Sequence, residues 1–425
     1  MNIRLYNARI LTMQDFNLIE GELHVKDGRI SYIGEAGQNS GEQWDREIDC
    51  KRNLLMPGFK NAHTHSGMTL MRTYADGLPL QEWLETKIFP LEAKMSGEDV
   101  ALLSKLAILE YLTSGVTAVF DMYLTPETIA DAFYESGMRV VQVSGINKFG
   151  PTLEVLEERY NKLNGVNDMT SFMLGFHAEY TCDRDLLEKI AEMAHKYKAP
   201  VYTHNSETAR EVEECVGRYG MTPTVFLDSL GMFDYGGGGY HCVHMSDQDI
   251  EVFKKHDMSV VTNPGSNTKL ASGIAPIRRF LDEGINVAIG TDGPSSNNCL
   301  DMFKEMCLVF SLANIREKNA LAVDGCDILK MATVGGAKAM GLKDCDVLAV
   351  GKWADLIMID MHQPNMQPEN DIVRNLVYSG SKQNVKMTMI AGKILYEDGK
   401  FNIGTDAETI YREANAILPR LIKEM

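Results

Sequence analysis

No stretch of the 425-residue sequence approaches the roughly 18 consecutive apolar residues that a membrane-spanning helix needs. Its first residues, Met1-Asn2-Ile3-Arg4-Leu5-Tyr6, have neither the apolar run nor the small-residue cleavage site of a secretory signal. Eight cysteines (Cys50, Cys182, Cys215, Cys242, Cys299, Cys307, Cys326 and Cys345) include no Cys-x-x-Cys pair. That argues against a zinc ribbon or a disulfide scaffold, and the thiols read as buried or incidental groups in a reducing, cytoplasmic setting. Basic charge is short as well. Lys and Arg number 42 against 59 Asp and Glu, for a net charge of −17. A surplus of that sign speaks against nucleic acid or an anionic membrane as the main partner. Internal repeats and low-complexity tracts are also absent. What remains, 44% hydrophobic and 24% charged residues, is ordinary for a globular protein with a large core. Length alone suggests nearly three domains at about 150 residues each, although one α/β barrel can occupy about 250.

The hydropathy pattern divides the chain. The first 55 residues read as short strands (Ile3–Tyr6, Glu22–Val25, Arg29–Ile33) around a turn at Asp27-Gly28. The region from about 345 to 400 has the same texture, with strands at Asp355–Asp360 and Val385–Ile390 and turns at Ala391-Gly392 and Asp398-Gly399. Between them, short apolar strands alternate with amphipathic helices, the signature of β/α units around a parallel sheet. Eight strands are expected to end near His65, Asp121, Gly145, His177, His204, His244, Asn263 and Asp292. A helix is expected over Asp185–Tyr197 from its apolar spacing, and another from a capping box at Ser246 to His256. The expected architecture is an α/β fold: a (β/α)8 TIM-like barrel over residues 57–344, and a small β-sandwich domain assembled from 1–56 and 345–400. The segment 401–425 reads as a C-terminal surface helix.

In such a barrel, chemistry sits at the C-terminal ends of the strands. The types gathered there are metal ligands. His63 and His65, two apart on one strand, share a face and can both point into the barrel mouth. His204 ends the fifth strand and Asp292 the eighth. A His-x-His alone is a weak signal, and an Asp-Gly alone is usually a turn. The joint pattern is stronger, because six of the ten histidines (63, 65, 177, 204, 241 and 244) fall at or beside expected strand ends. Three neutral imidazoles and a carboxylate suit Zn2+, with Fe2+ or Mn2+ as alternatives, and leave one position for water. Glu207, three residues after His204, is placed to face the metal as a proton shuttle, or else to begin a helix. One of His241 and His244 is placed to hydrogen-bond the water.

The run Pro57-Gly58-Phe59-Lys60-Asn61-Ala62-His63-Thr64-His65 resembles the metal-binding segment of the amidohydrolase superfamily. The resemblance extends over nearly the whole chain. His177-Ala178-Glu179-Tyr180-Thr181, His204-x-x-Glu207, Tyr240-His241-Cys242-Val243-His244, Asn263–Gly273 and Gly290–Asn298 follow in the order of one branch, the methylthioadenosine/S-adenosylhomocysteine deaminases and related chlorohydrolases. It implies one metal held by His63, His65, His204 and Asp292, because His177 stands where dinuclear members carry a carboxylated lysine. It selects His241 over His244 and implies catalytic roles for Glu207, His241 and Asp292. It also implies a contact from Glu92 to the ribose hydroxyls; His177 is placed to hydrogen-bond the base, and Trp83, just before Glu92, to line the purine pocket or else to pack in the core.

The activity implied is hydrolytic deamination of an adenosine-type nucleoside (adenosine, 5′-deoxyadenosine, methylthioadenosine or S-adenosylhomocysteine), by an enzyme expected to be a homo-oligomer. One departure narrows the substrate. Ser144 stands where the branch places an arginine for the amino-acid carboxylate, and a serine does not replace a guanidinium fork. Lys148 offers at most a point charge there. An uncharged 5′ end is therefore expected to be preferred. The alternatives are deamination of another aminopurine or a pterin, dechlorination of a triazine, and a non-catalytic scaffold, the last disfavoured by the intact ligand set.

Overall fold

In the computed structural model, which describes residues 1–37, 43–74 and 76–423, eight parallel strands form a nearly closed barrel. They are Phe59–Thr64, Val116–Asp121, Arg139–Val143, Thr170–Ala178, Val201–Asn205, Gly237–His241, Ser259–Thr262 and Asn286–Ile289, each paired with its sequence neighbours. The seam between the eighth and first strands is closed partly by a side chain. Asn61 donates to the Thr291 hydroxyl (2.7 Å) and accepts from the Thr291 amide (2.9 Å), and the Asp292 amide donates to the His63 carbonyl (3.0 Å). The interior is filled by Phe120, Val141, Tyr202, Tyr240 and Val261. Its lower end is plugged by Ala339, whose carbonyl accepts from the Tyr202 hydroxyl (2.5 Å). Helices pack outside, and their starts follow local chemistry. Ser246 and Asp249 exchange capping bonds at the head of Asp247–Lys255, and Asp183 caps Arg184–Tyr197.

The strands of both chain ends form one mixed sheet rather than two separate ones. Its order is Lys400–Phe401, Lys393–Glu397, Val385–Ile390, Leu356–Ile359, Leu54–Pro57, Ile3–Leu11, Leu18–Lys26 and Arg29–Gly34, with Arg46–Asp49 also on Ile3–Leu11. Hydrogen bonding is unbroken, and the sheet curls until its two expected turns touch. A Cβ on Gly392 would lie 2.6 Å from the Cα of Gly28, and both glycines have positive φ, so neither position accepts a side chain. Leu23, Val25, Met387 and Met389 accordingly share one apolar cluster. The curled sheet is fastened beneath the barrel by a buried ion pair. The Asp355 carboxylate takes bonds from Arg139 Nε (2.9 Å) and Nη2 (3.3 Å) and from the Ala391 amide (2.8 Å).

Four features differ from the sequence reading. The sixth strand stops at His241 and not near His244, because His241 and Cys242 both adopt left-handed backbone (φ 69° and 49°) and turn the chain. The eighth stops at Ile289, and Gly290-Thr291 carry the chain on to Asp292. Cys307 is exposed and Cys299 and Cys326 are half-buried, while the other five cysteines are buried. The last helix, Ala407–Lys423, does more than cover a surface. Its Ala414, Ile417 and Leu421 join Met68, Leu70, Trp83, Leu84 and Ile88 in one apolar cluster beside the barrel mouth, and Arg420 pairs with Asp99 (2.5 Å). No helix among the described residues is long and apolar enough to cross a membrane.

Candidate active site and metal centre

Four ligand atoms converge at the barrel mouth. One from each of His63, His65, His204 and Asp292 lies within 4.8 Å of all the others, and all four residues are buried. The backbone explains the convergence. His63 and His65 leave one face at the end of the first strand, and His204 leaves the fifth. Asp292 takes a left-handed φ of 57° just beyond the eighth. Gly290 makes room, since a Cβ there would stand 2.4 Å from Asn263 Oδ1 and 2.8 Å from His63 Cβ.

The tautomers are set from behind. His204 Nδ1 donates to the His177 carbonyl (2.6 Å) and His65 Nδ1 to the Met122 carbonyl, so both turn Nε2 toward the centre. His63 stacks on Tyr240 with centroids 3.7 Å apart, and neither of its buried ring nitrogens has a hydrogen-bond partner. An orphaned buried imidazole costs about 1–3 kcal/mol unless an electrophile takes its lone pair. The Ser266 and Ser296 hydroxyls both donate to Asp292 Oδ2 (2.6 and 2.7 Å). Its Oδ1 is left facing His65 Nε2 (3.0 Å) and His63 Nε2 (3.5 Å).

The electrostatics match this geometry. Burial drives His63 down to about 3 and His204 well below the ordinary histidine range, so both rings are neutral. Burial pulls on His65 in the same direction, but the Asp292 carboxylate outweighs it and raises this imidazole to about 9. Burial would lift Asp292, yet the adjacent His63 and His65 imidazoles hold it well below the usual carboxylate range. The group is thus an anionic oxygen facing a protonated His65 with neutral His63 and His204 beside it; a bound divalent cation would take the place of the His65 proton, and the donor set fits a transition metal.

Two further groups stand beside it. The His241 ring donates through Nδ1 to Asn267 Oδ1 (2.7 Å), and its Nε2 lies 3.7 Å from Glu207 Oε2. Burial raises the Glu207 carboxyl, against the pull of His241, and its Oε1 accepts from the Ser272 hydroxyl (3.3 Å). Ser206 sits at a left-handed φ of 51°, and Glu211 secures that turn by accepting from the Ser206 (3.0 Å) and Glu207 (2.8 Å) amides.

A family model described as the amidohydrolase family matches residues 54–395, a span that contains every residue of this centre. The chain belongs to the amidohydrolase family. Among the amidohydrolases similar to it is a 5-methylthioadenosine/S-adenosylhomocysteine deaminase of Caldanaerobacter subterraneus subsp. tengcongensis, 40% identical over 100% of this chain and 99% of that protein. A 5′-deoxyadenosine deaminase of Methanosarcina acetivorans is 38% identical over 99% of this chain and 98% of its own length. A solved structure of an adenosine deaminase from Xanthomonas campestris with bound zinc superposes with a TM-score of 0.92 at 30% identity, covering 99% of this chain and 98% of that one.

The other residues singled out in this amidohydrolase sequence fall at different distances from the centre. His177 is half-buried with its ring 4.9 Å from that of His204, and it shares a bond with the Thr181 hydroxyl through Nδ1 (3.1 Å). Glu92 is half-buried, and its Oε1 is enclosed without a hydrogen-bond partner. Trp83, only 4% exposed, packs in the apolar cluster under the C-terminal helix. The tyrosine and phenylalanine rings beside His177 belong instead to Tyr180 and Phe89, with centroids 6.2 and 6.5 Å away, and Phe89 is 37% exposed. His244 bonds the Ser272 carbonyl through Nε2 (2.8 Å), three residues beyond the strand end. Sequence reasoning missed Ser266, Asn267, Ser272, Ser296, Glu211 and Glu305. The Thr208-x-x-Glu211 spacing was a readable capping signal for one of them, and Ser266, Asn267, Ser272 and Ser296 lie inside the Asn263–Gly273 and Gly290–Asn298 runs that carry the resemblance; Glu305 has no local signature.

Proposed function

We propose that this amidohydrolase deaminates an adenosine-type nucleoside by hydrolysis, replacing the amino group of the aminopurine with oxygen and releasing ammonia. The observation that carries the reading is the closed three-histidine, one-aspartate group with Glu207 and His241 at its open side. The full-length likeness to proteins named as adenosine-type deaminases supports the substrate class. His63, His65, His204 and Asp292 would hold one divalent ion, and the zinc bound in the Xanthomonas campestris deaminase structure favours zinc. Such an ion supplies Lewis acidity that makes water a competent nucleophile at neutral pH.

The chain's own groups do the rest. Asp292 accepts the proton of the attacking water. Glu207, whose proton affinity burial raises, protonates the ring nitrogen next to the attacked carbon and makes that carbon electrophilic. His241, oriented by Asn267, directs the oxygen and stabilises its charge in the tetrahedral adduct. The proton gathered by Asp292 passes to the amino group, the carbon–nitrogen bond breaks with its electron pair leaving on ammonia, and the hydroxyl proton of the adduct returns to Glu207 as the carbonyl forms. Glu92, with its unpartnered oxygen, receives the ribose hydroxyls, and His177 and Phe89 flank the base.

At the 5′ end, Ser144 is buried and its hydroxyl accepts from the Ile146 amide (3.1 Å), so it serves the turn. The Lys148 ammonium lies over the ring of Phe149, 5.0 Å from its centroid. With no guanidinium fork supplied by either, the preferred substrates are adenosine, 5′-deoxyadenosine and methylthioadenosine over S-adenosylhomocysteine. A profile of kcat/KM over these four nucleosides, guanine, a pterin and a chlorotriazine, read by ammonia or chloride release, tests the proposal. Turnover confined to guanine, pterin or triazine overturns the substrate class. Equal kcat/KM for adenosine and S-adenosylhomocysteine overturns the 5′-end preference.

A further inference from the structure

The two serines that hold Asp292 Oδ2 come from different loops. Ser266 lies in the short helix Pro264–Lys269 after the seventh strand, and Ser296 in the turn after the eighth. One carboxylate joins those loops. Glu305, on the helix Met302–Glu317, accepts from the Gly265 amide through Oε2 (2.8 Å) and from Asn297 Nδ2 through Oε1 (2.8 Å). Gly265 and Asn297 are the immediate neighbours of the two serines. Asn297 Nδ2 also donates to the Thr291 carbonyl (2.6 Å), one residue before Asp292, and Lys304 secures Asn297 through its Oδ1 (2.8 Å). The packing is close enough that a Cβ on residue 265 would lie 2.4 Å from Glu305 Oε1.

Glu305 is an expensive way to join two loops. It is 0% exposed and forms no salt bridge among the described residues, and burial lifts its carboxyl to about 7. Two backbone carbonyls or a single amide would satisfy one loop each, whereas a carboxylate accepts from both at once. Lys304 and Asp301 are the charged neighbours on its own helix, the first lowering and the second raising its proton affinity.

We propose that Glu305 is a positioning residue for the metal-holding carboxylate: it fastens the Gly265 and Asn297 backbone regions so that Ser266 and Ser296 both address Oδ2 of Asp292 and leave Oδ1 to the metal. The proposal rests on the reading of His63, His65, His204 and Asp292 as the metal centre. Its effect passes through the serines, and that gives it a signature a purely structural carboxylate lacks. Ligand-orienting partners of this kind typically carry 10–100-fold in metal affinity.

The test is the zinc affinity of the full-length protein, by competition with a chromophoric chelator. The proteins compared are wild type, Glu305→Gln, Ser266→Ala/Ser296→Ala, and the triple combination. Glu305→Gln is expected to weaken zinc binding by about 10–100-fold without lowering the urea midpoint of the metal-free protein. In the serine-deleted background the same change is expected to cost no more than about twofold, because pathways that run through shared partners are not additive. Asn297→Ala, which removes one of the two links, serves in the same assay if Glu305→Gln does not fold, and is expected to lose affinity in the same direction. Unchanged zinc affinity in Glu305→Gln, or an equal loss with and without the serines, overturns the positioning role. A zinc affinity unmoved by His63→Ala overturns the metal-centre reading itself and is distinguishable from both.

Discussion

Glu207→Gln separates chemistry from architecture at this site. Glu207 is 4% exposed, accepts from Ser272 through one oxygen and faces His241 Nε2 at 3.7 Å through the other. Glutamine has the same shape and can still accept the Ser272 hydroxyl, and it removes a carboxyl group that burial disfavours when charged. The fold is therefore expected to hold or to gain slightly. What is lost is the transferable proton. A positioned general acid contributes about 10²–10⁴-fold, or about 2.7–5.5 kcal/mol of barrier. Kcat is expected to fall by that factor, with KM within about threefold and one zinc per chain retained by elemental analysis. The pH profile carries a second signature. A carboxyl acting as an acid must be protonated, and burial sets its value above the ordinary 4.5. Wild-type kcat therefore falls as pH rises through that raised value, and the variant loses the limb. An ammonia-release assay over pH 5–9 (about two units either side of neutral) reads both effects. A variant within tenfold of wild type that keeps the limb refutes the role of Glu207.

Three further perturbations test other parts of the account. Asn267→Ala removes the acceptor that orients His241 (2.7 Å), and the loss of one orienting hydrogen bond of about 1.4 kcal/mol is expected to lower kcat about tenfold with KM little changed. Asp355→Asn uncouples the sheet from Arg139 beneath the barrel. Burial favours the neutral carboxyl, but Arg139 outweighs it and holds Asp355 below its ordinary range. Its stabilisation is thus full above about pH 4 and lost as pH falls through the depressed value. The variant is expected to be about 3–5 kcal/mol less stable near neutrality, with the gap to wild type closing in acid, by urea titration at several pH values. Leu421→Ala opens the cluster under the last helix, where Leu421 is fully buried, and is expected to cost about 2–5 kcal/mol, read as a lowered Tm.

The barrel was legible because its signals are local. Helix caps such as Ser246-x-x-Asp249 and the apolar spacing over Asp185–Tyr197 depend only on neighbouring residues, and those two helices fall within a residue of their expected bounds, whereas the sixth and eighth strands end three residues early. The ligand set was legible because His-x-His on a strand states its own geometry. The groups that serve the ligands were not. Asn267 meets His241, and Ser266 meets Asp292, across 26 residues of chain each, and Glu305 reaches Gly265 across 40. Such contacts exist only after the loops of two barrel strands have been brought together, and no periodicity reports them. Trp83 shows the same limit from the other side. Its position suggested a pocket wall, but the helix that covers it lies at the far end of the sequence.

That covering helix has a consequence for how the protein comes into being on the ribosome. A chain is made from its N-terminus and domains generally fold as units during synthesis. Here the sheet cannot close until Val385–Ile390, Lys393–Glu397 and Lys400–Phe401 have emerged, and the segment leading to Phe89 and Glu92 stays uncovered until Ala407–Lys423 follows. The barrel can assemble around its histidines well before then, but its rim is finished last. Translation thus acts as a timer on the site: a nascent chain stalled before the final helix would hold its ligands while exposing Trp83 and its apolar neighbours to chaperones and proteases.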